Sequence, residues 1–345
     1  MEFNLQSLVR PNIWNLDAYS CARREFSGKA EVWLNANESA YNSPYNRYPD
    51  PMQYELKEKI AQVKGVGIDN IFLGVGSDEC IDAVYRVFCR PGADRSVMLA
   101  PSYDMYKVCA DINDVACTRV QLRADFSLDF PALREAMKGA KVLWLCSPNN
   151  PTGNSIPTEV MEQLCNEFDG IVVVDEAYID YSSQPSMTTR LAEHPNLIVM
   201  QTMSKAWGSA AVRLGMAFAS PEIIAIFNKV KYPYNISQLV NNYALERISC
   251  ADEVRSQVAE ALSQRDAMME RLKALPQVLE VFPSDANFVL IRVTDADGIY
   301  NHLLSQGIIV RNRNHLAGCK GCLRITVGTA AENEAVINEI ARYGK

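Results

Sequence analysis

The amino-acid sequence predicts an α/β fold, with a large domain around a mostly parallel sheet and a smaller α+β domain. Between residues 71 and 219, six short β-rich runs alternate with longer segments of mostly helical character, and these runs are IFLGV, SVMLA, KVLWLC, GIVVVD, NLIVMQ and GMAFA. Continuous apolar runs such as IVVV suit strands that are covered on both faces. After about Pro233 the pattern changes to a long helical segment, roughly Ser237 to Leu275, followed by the strand-like runs NFVLIRV, GIIVR and CLRITVG.

The chain length of 345 residues fits one large domain with a smaller companion. We predict an irregular N-terminal arm over residues 1–29, a large domain over residues 30–235 and a small C-terminal domain over residues 236–345. The start of the large domain, residues 30–50, is rich in Asn, Ser, Pro and Tyr and is therefore expected to be a loop. The following run MQYELKEKIAQVKGV has the apolar spacing of a helix, and ENEAVINEIARYGK predicts a closing helix.

The composition excludes several classes of protein. A net charge of -7 without a basic stripe disfavours a general binder of nucleic acid or of anionic membranes. No signal peptide and no apolar run of about 20 residues is present, so we expect a cytoplasmic protein. The spacing of the ten cysteines shows no disulfide framework. Because the chain has only three histidines and a single CxxC, formed by Cys319 and Cys322, we predict no metal site.

Polar side chains follow the carboxyl ends of five predicted strands. In open α/β sheets, ligands bind beyond these ends. Each residue also has an ordinary explanation, such as a turn, a helix cap or a packed aromatic ring. Their common placement nevertheless predicts one site at one edge of the sheet, formed by Ser77, Tyr103, Asn150, Asp175, Tyr178, Ser204 and Lys205.

The chemistry of these residues predicts a pyridoxal phosphate site. Lys205 can form a Schiff base with an aldehyde, and Asp175 can pair with a protonated pyridine nitrogen. An asparagine and a tyrosine can hydrogen-bond a ring phenolate, and a tyrosine can stack on the ring. The helix N-terminus at Ser77 and Asp78, together with serine hydroxyls and Arg213, can hold a phosphate. Neither GxGxxG nor GxxxxGK[ST] is present, which disfavours a nicotinamide-dependent reductase.

The segments SPNNPTG, DEAY and SKAWGSAAVRLG resemble the signatures of fold-type I aminotransferases. The wider series from WLNANES, NRYPD and LGVGSDE to ANFVLIR, GIIVRNRN and GCLRITVG covers nearly the whole chain, and it is similar to the histidinol-phosphate aminotransferase family. This resemblance implies a homodimer with an N-terminal arm and an active site at the subunit interface.

The resemblance also implies roles for individual residues. Lys205 would carry the cofactor aldehyde, Asp175 would pair with the ring nitrogen, and Tyr178 would complete the catalytic set. The other cofactor-binding positions are Ser77, Asp78, Tyr103, Asn150, Ser204 and Arg213, together with Tyr48 from the partner subunit. The substrate-binding positions are Arg324, which matches an arginine that grips the substrate carboxylate, and Arg311, Tyr19 and Asn37.

The implied reaction moves an amino group between L-histidinol phosphate and glutamate or 2-oxoglutarate. Arginine suits both molecules because its guanidinium binds carboxylate and phosphate alike. From the residues alone, a solvated basic edge is the favoured interpretation of Arg311 and Arg313. The alternatives on this scaffold are an aromatic amino-acid aminotransferase and a phosphothreonine decarboxylase. A non-catalytic pyridoxal-phosphate-sensing module is an alternative of another class, disfavoured because the chain offers no segment with helix-turn-helix character.

Overall fold

The computed structural model describes residues 3–21 and 31–344, and a seven-stranded sheet forms its centre. The strands are β1 (Ile71–Val75), β2 (Arg95–Ala100), β3 (Ala116–Gln121), β4 (Val142–Cys146), β5 (Ile171–Asp175), β6 (Leu197–Thr202) and β7 (Leu214–Phe218). They lie in the order β1–β7–β6–β5–β4–β2–β3. Strands β2 to β6 are parallel to their neighbours among these five, whereas β7 is antiparallel to β1 and β6. The predicted mostly parallel sheet is confirmed.

The apolar runs form the strands of this sheet because helices cover both of its faces. Every residue of β4, β5 and β6 is buried, as expected for continuous apolar strands of a parallel sheet. Strand β3 was not predicted from the sequence. Its segment ACTRVQ lies at the edge of the sheet with only Val120 buried, so it lacks the apolar run that marks the central strands.

Twelve α-helices occur in the described part of the chain. They are α1 (Leu5–Leu8), α2 (Pro11–Trp14), α3 (Tyr54–Lys64), α4 (Gly76–Phe88), α5 (Met105–Ile112), α6 (Phe130–Met137), α7 (Thr158–Glu167), α8 (Pro221–Val230), α9 (Gln238–Ile248), α10 (Ala251–Lys273), α11 (Ala296–Ser305) and α12 (Ala330–Arg342). Caps mark several helix starts: Thr329 and Glu332 form a capping box on α12, and Ser220 caps α8 ahead of Pro221. None of these helices combines the length and the apolar character needed to cross a membrane.

A second, antiparallel sheet of four strands forms the smaller core. Its strands are β8 (Val278–Val281), β9 (Phe288–Val293), β10 (Arg311–Asn312) and β11 (Cys322–Thr326), in the order β10–β11–β9–β8. The run GIIVR therefore contributes only Arg311 to a strand, and β8, whose middle residues are exposed, was not predicted. The α+β character predicted for this region is confirmed.

The N-terminal segment differs from the irregular arm that the sequence predicts. Within the described residues 3–21 it forms two short helices, and the carbonyl of Trp14 in α2 accepts a hydrogen bond from Lys229 in α8 at 3.1 Å. Asn4 caps α1 and Pro11 occupies the first turn of α2, signals that a search for long periodic segments does not detect. The remainder of the predicted arm, residues 1–2 and 22–29, lies outside the described residues.

The long helix α10 connects the two cores. Val254 and Val258 near its start belong to the apolar core of the large sheet, whereas Met268 and Leu272 near its end pack in the core of the small sheet. Ala244 of α9 also packs in the core of the large sheet. The proposed domain limits, 1–29, 30–235 and 236–345, stay predictions.

Candidate active site

A cavity of about 400 Å³ lies beyond the carboxyl ends of the parallel strands. This is the edge at which ligands bind in open α/β sheets. Eleven of the predicted site residues line it, and they are Ser77, Asp78, Tyr103, Asn150, Asp175, Tyr178, Ser204, Lys205, Arg213, Arg311 and Arg324. Arg313, for which the sequence analysis gave no role in the site, lines it as well.

Asp175 ends strand β5 at the floor of the cavity. Only 3% of this residue is exposed, and burial raises the pKa of its carboxyl. Its two oxygens accept hydrogen bonds from the Tyr106 hydroxyl at 2.6 Å and from the Ala177 backbone N–H at 3.0 Å. A buried carboxylate without a cationic partner is costly, so this position favours a ligand that brings a positive charge.

Tyr106 is a positioning residue that the sequence analysis missed. It is fully buried, and its ring stacks on Trp144 with centroids 4.7 Å apart. This packing fixes the direction from which its hydroxyl meets Asp175. The sequence signal was the second tyrosine in PSYDMY, which the prediction passed over in favour of Tyr103.

Replacing Tyr106 with phenylalanine is expected to lower kcat about tenfold, since a hydrogen bond to a charged group is worth roughly 1.5–3 kcal/mol. Because this bond lowers the pKa of Asp175, its loss should also move the acidic limb of the kcat–pH profile to higher pH. Tyr181→Phe is the control, since Tyr181 is a buried tyrosine that does not line the cavity. Equal effects of the two substitutions would contradict the positioning role.

Lys205 lies in the loop that connects β6 to β7. Its Nζ lies 5.6 Å from the centroid of the Tyr178 ring, and it makes no ion pair within residues 3–21 and 31–344. Partial withdrawal from water and the positive charge of Arg324 lower the pKa of its amine, although Asp175 opposes this effect. A lowered pKa increases the fraction of neutral amine, which is the nucleophilic form.

Arg213 closes the same loop and faces the start of helix α4. Its Nη2 donates to Asp78 at 3.2 Å, and its backbone carbonyl accepts from the Gly76 N–H at 2.8 Å. Gly76 has a φ of 69°, in the left-handed region that favours glycine, and the absence of a Cβ there leaves room for the Arg213 guanidinium. The arrangement places a cation beside free backbone N–H groups of a helix N-terminus, which is a suitable site for a phosphate.

Ser77, Ser204 and Tyr103 complete this end of the cavity. The Ser204 hydroxyl accepts a hydrogen bond from Thr202 at 3.0 Å. The Tyr103 hydroxyl donates to Asp78 at 3.4 Å, and burial together with Asp78 raises the pKa of that hydroxyl. Asp78 therefore holds both Arg213 and Tyr103 with its side chain while its backbone lies in the first turn of α4.

Asn150 connects the two ends of the cavity. Its Oδ1 accepts a hydrogen bond from the Arg324 guanidinium, which leaves its amide N–H₂ free to donate, because an arginine side chain only donates. Arg324 also lies over the Phe288 ring at 5.1 Å, and Tyr178 packs edge-on against the same ring. Burial raises the pKa of the Tyr178 hydroxyl, so it stays protonated and can donate to an anionic oxygen.

Three predicted site residues lie away from this cavity. Asn37 and Tyr48 line a separate hollow, in which the Tyr48 ring stacks on Tyr234 at 4.4 Å. Tyr19 is 71% exposed and lines neither the main cavity nor the hollow. The described part of one chain therefore does not bring these three side chains to the cavity.

The donors and acceptors in the cavity fit a phosphorylated pyridine aldehyde. The lysine amine matches its aldehyde, and the buried carboxylate matches its ring nitrogen. The amide N–H₂ and the protonated tyrosine match its phenolate, and the arginine at a helix N-terminus matches its phosphate. Together with the fold, these features define a pyridoxal-phosphate-dependent enzyme.

The chain belongs to the family "Aminotransferase class I and II", whose model matches residues 12–340. This membership confirms the predictions of an aminotransferase and of pyridoxal 5′-phosphate as its cofactor. The chain is 52% identical to a histidinol-phosphate aminotransferase of Parabacteroides distasonis over 336 residues, which cover 97% of each chain. It is 51% identical to the protein of the same name from Bacteroides fragilis, with 98% of this chain and 99% of that relative covered.

Solved structures share the fold. The histidinol-phosphate aminotransferase of Sinorhizobium meliloti, in complex with pyridoxal-5′-phosphate, superposes with a TM-score of 0.78 at 23% identity. That alignment covers 86% of this chain and 82% of the other chain. At this level of identity the likeness supports the fold-type I architecture.

Proposed function

We propose that this enzyme transfers an amino group between L-histidinol phosphate and 2-oxoglutarate or glutamate, a step of histidine biosynthesis. The observation that carries the proposal is the pair Arg311 and Arg324, which are direct partners on adjacent strands and both line the cavity. Like charges placed opposite each other destabilise a sheet, so the pair favours an anionic substrate. Two relatives that are 52% and 51% identical in sequence are named histidinol-phosphate aminotransferase, which supports the same substrate.

The proposed roles of the protein residues follow from the geometry. When bound, pyridoxal phosphate supplies an electron-withdrawing ring that accepts the electron pair left by a proton lost from the substrate carbon. Lys205, with its lowered amine pKa, would accept that proton and return it to the aldehyde-derived carbon on the other side of the amine nitrogen. Asp175 would keep a proton on the ring nitrogen, while Asn150 and Tyr178 would donate to the ring oxygen. Arg213, Ser77 and Ser204 would bind the phosphate of the cofactor.

The proposed site must bind two unlike substrates in turn. Glutamate carries an α-carboxylate, whereas histidinol phosphate carries a phosphate ester instead. Arg324 is held by Asn150 and Phe288 at the inner side, and it suits the anion nearest to the reacting carbon. Arg311, directly opposite Arg324 in the small sheet, suits the remaining anionic group.

The test is a single half-reaction, followed by the visible absorbance of the cofactor-loaded enzyme in a stopped-flow cell. Histidinol phosphate alone is expected to replace the long-wavelength band by that of the amino form, and 2-oxoglutarate should restore it. A response to phenylalanine in place of histidinol phosphate would favour an aromatic aminotransferase. Release of carbon dioxide from phosphothreonine would favour the decarboxylase, and a band that no substrate moves would favour a non-catalytic module.

We further propose that the enzyme is a homodimer in which Tyr48 reaches the site of the partner. Tyr48 is half exposed and lies outside the cavity of its own chain, although a role at the cofactor phosphate is expected. Large exposed apolar side chains surround it in sequence, as expected for a protein interface, and they include Val32, Leu34, Tyr41 and Tyr45. Asn37 and Tyr19 remain proposed substrate-binding residues on this basis.

Mixed dimers test this arrangement. Lys205→Ala subunits and Tyr48→Ala subunits, each weakly active or inactive alone, should regain up to about a quarter of wild-type activity after joint unfolding and refolding, because one of the two sites in each heterodimer then has both residues intact. The control mixes Lys205→Ala subunits with subunits that carry both substitutions. Absence of recovery in the test mixture, when heterodimers have formed, would place Tyr48 and Lys205 in the same chain's site.

We infer a cytoplasmic location as well. All ten cysteines of the chain are free thiols, and eight of them are buried. Free thiols in this number are typical of a reducing compartment.

A further inference from the structure

Arg313 is a cavity residue to which the proposed mechanism assigns no role. It follows strand β10 directly, and its backbone N–H donates to the Cys322 carbonyl at 2.9 Å, which extends the pairing with β11. Residues two apart on an extended strand point to the same face, so Arg313 lies on the face of Arg311. Arg324 is the cross-strand partner of Arg311, and all three arginines line the cavity.

No carboxylate in the described ranges pairs with Arg313. Its Nε is buried without a hydrogen-bond partner, and the nearby carboxylate of Asp104 pairs with Arg119 at 3.6 Å instead. Burial and the charges of Arg324 and Arg311 lower the pKa of Arg313, which is the effect expected of cations crowded on one wall. By contrast, Arg292 of strand β9 in the same sheet is paired with Glu280.

The two substrates differ in the oxygens and charges that they present to Arg311, Arg313 and Arg324, which together form the arginine wall of the cavity. A carboxylate presents two oxygens and one charge, which a single guanidinium can bind through two parallel hydrogen bonds. A phosphate monoester presents three peripheral oxygens and a charge of about -1.5 to -2, so it offers more acceptor sites and more charge than one guanidinium can satisfy. The two carboxylates of glutamate can be bound by Arg324 and Arg311, whereas a phosphate gains from a third cation.

We propose that Arg313 is a specificity-determining residue that binds the substrate phosphate and contributes little to binding of glutamate. This inference rests on the proposed function, because it assigns the phosphate of histidinol phosphate to this wall. It separates the two half-reactions of one site: Arg324 and Arg311 serve both, and Arg313 serves the phosphorylated amino donor.

The test compares Arg313→Gln with the wild-type holoenzyme in both half-reactions. We expect the half-saturating concentration of histidinol phosphate to rise about tenfold or more, as for a lost charge-assisted hydrogen bond, and that of glutamate to rise less than about threefold. For Arg313→Lys, which keeps the charge, the half-saturating concentration of histidinol phosphate should lie between those of the wild type and Arg313→Gln. Arg292→Gln is the control, because Arg292 belongs to the same sheet but does not line the cavity. Equal losses for both substrates, or no loss for either, would overturn the inference.

A second measurement separates this inference from the proposed function. Inorganic phosphate should compete with glutamate in the wild-type holoenzyme, and Arg313→Gln should weaken this inhibition about tenfold. If histidinol phosphate fails as a substrate but this difference persists, the phosphate site stands and the proposed substrate falls. If histidinol phosphate reacts and Arg313→Gln changes neither measurement, the proposed function stands and the role of Arg313 falls.

Discussion

Replacing Lys205 with alanine is expected to abolish turnover, with kcat lowered by roughly a thousandfold or more. The substitution removes both the amine that carries the cofactor and the group that moves the proton, and general acid–base catalysis alone contributes about 10²–10⁴-fold. The loop itself should keep its shape, since its backbone hydrogen bonds, Ser209 N–H to Met203 and Met203 N–H to Leu214, do not involve this side chain. The measurement is kcat of the cofactor-loaded variant.

Small primary amines provide the control for this prediction. If the lost function is that of an amine base, added amines should restore part of the activity in proportion to their basicity. Lys107→Ala is the matched variant, because Lys107 is paired with Asp111 and does not line the cavity. Turnover of Lys205→Ala close to that of Lys107→Ala would contradict the assignment.

Replacing Asp175 with alanine is the second large effect expected, with kcat lowered by about 10²–10⁴-fold. The reason is the loss of a buried charge beside the ring nitrogen, and breaking a buried ion pair costs about 3–5 kcal/mol. Affinity for the cofactor should fall as well. The two measurements are kcat at saturating cofactor and the cofactor dissociation constant.

The pH dependence of apo-protein stability gives Asp175 an independent control. Burial raises the pKa of this carboxyl in the folded apo-protein above its value in the unfolded chain. The folded state then binds more protons between these two pKa values, so its free energy of unfolding falls as the pH rises through that window. Asp175→Asn should remove this loss. An identical stability–pH profile for Asp175→Asn and wild type would contradict a raised pKa.

Much of the large sheet is visible in the sequence because its central strands are covered on both faces. The runs VLWLC, IVVVD and LIVMQT are continuous and apolar, and each ends where a polar residue enters the cavity. Strand β3 escaped prediction because it is partly exposed and mostly polar, and β8 because it has only four residues, none of them buried. Local pattern indicates burial more directly than it indicates pairing.

The site residues that directly follow strand ends could be predicted from the sequence. Residues that position another site residue were harder to predict. Tyr106 touches Asp175 from inside the core, and only the folded chain shows which tyrosine of PSYDMY does so. For Arg313 the sequence favoured a solvated basic edge, since a sequence does not show whether a nearby carboxylate will pair with the guanidinium. Tyr48, Tyr19 and Asn37 depend on a second chain under the present proposal.

The most direct test of the central claim is to locate the cofactor on the chain. The holoenzyme is reduced with borohydride, which makes a lysine–cofactor link permanent, and the digested peptides are then sequenced by mass spectrometry. The structure predicts the label on Lys205. Lys57 is the informative competitor, since it is buried outside this cavity and burial lowers its pKa to about 8. A label on Lys57, or on any lysine other than Lys205, would contradict the account of the site.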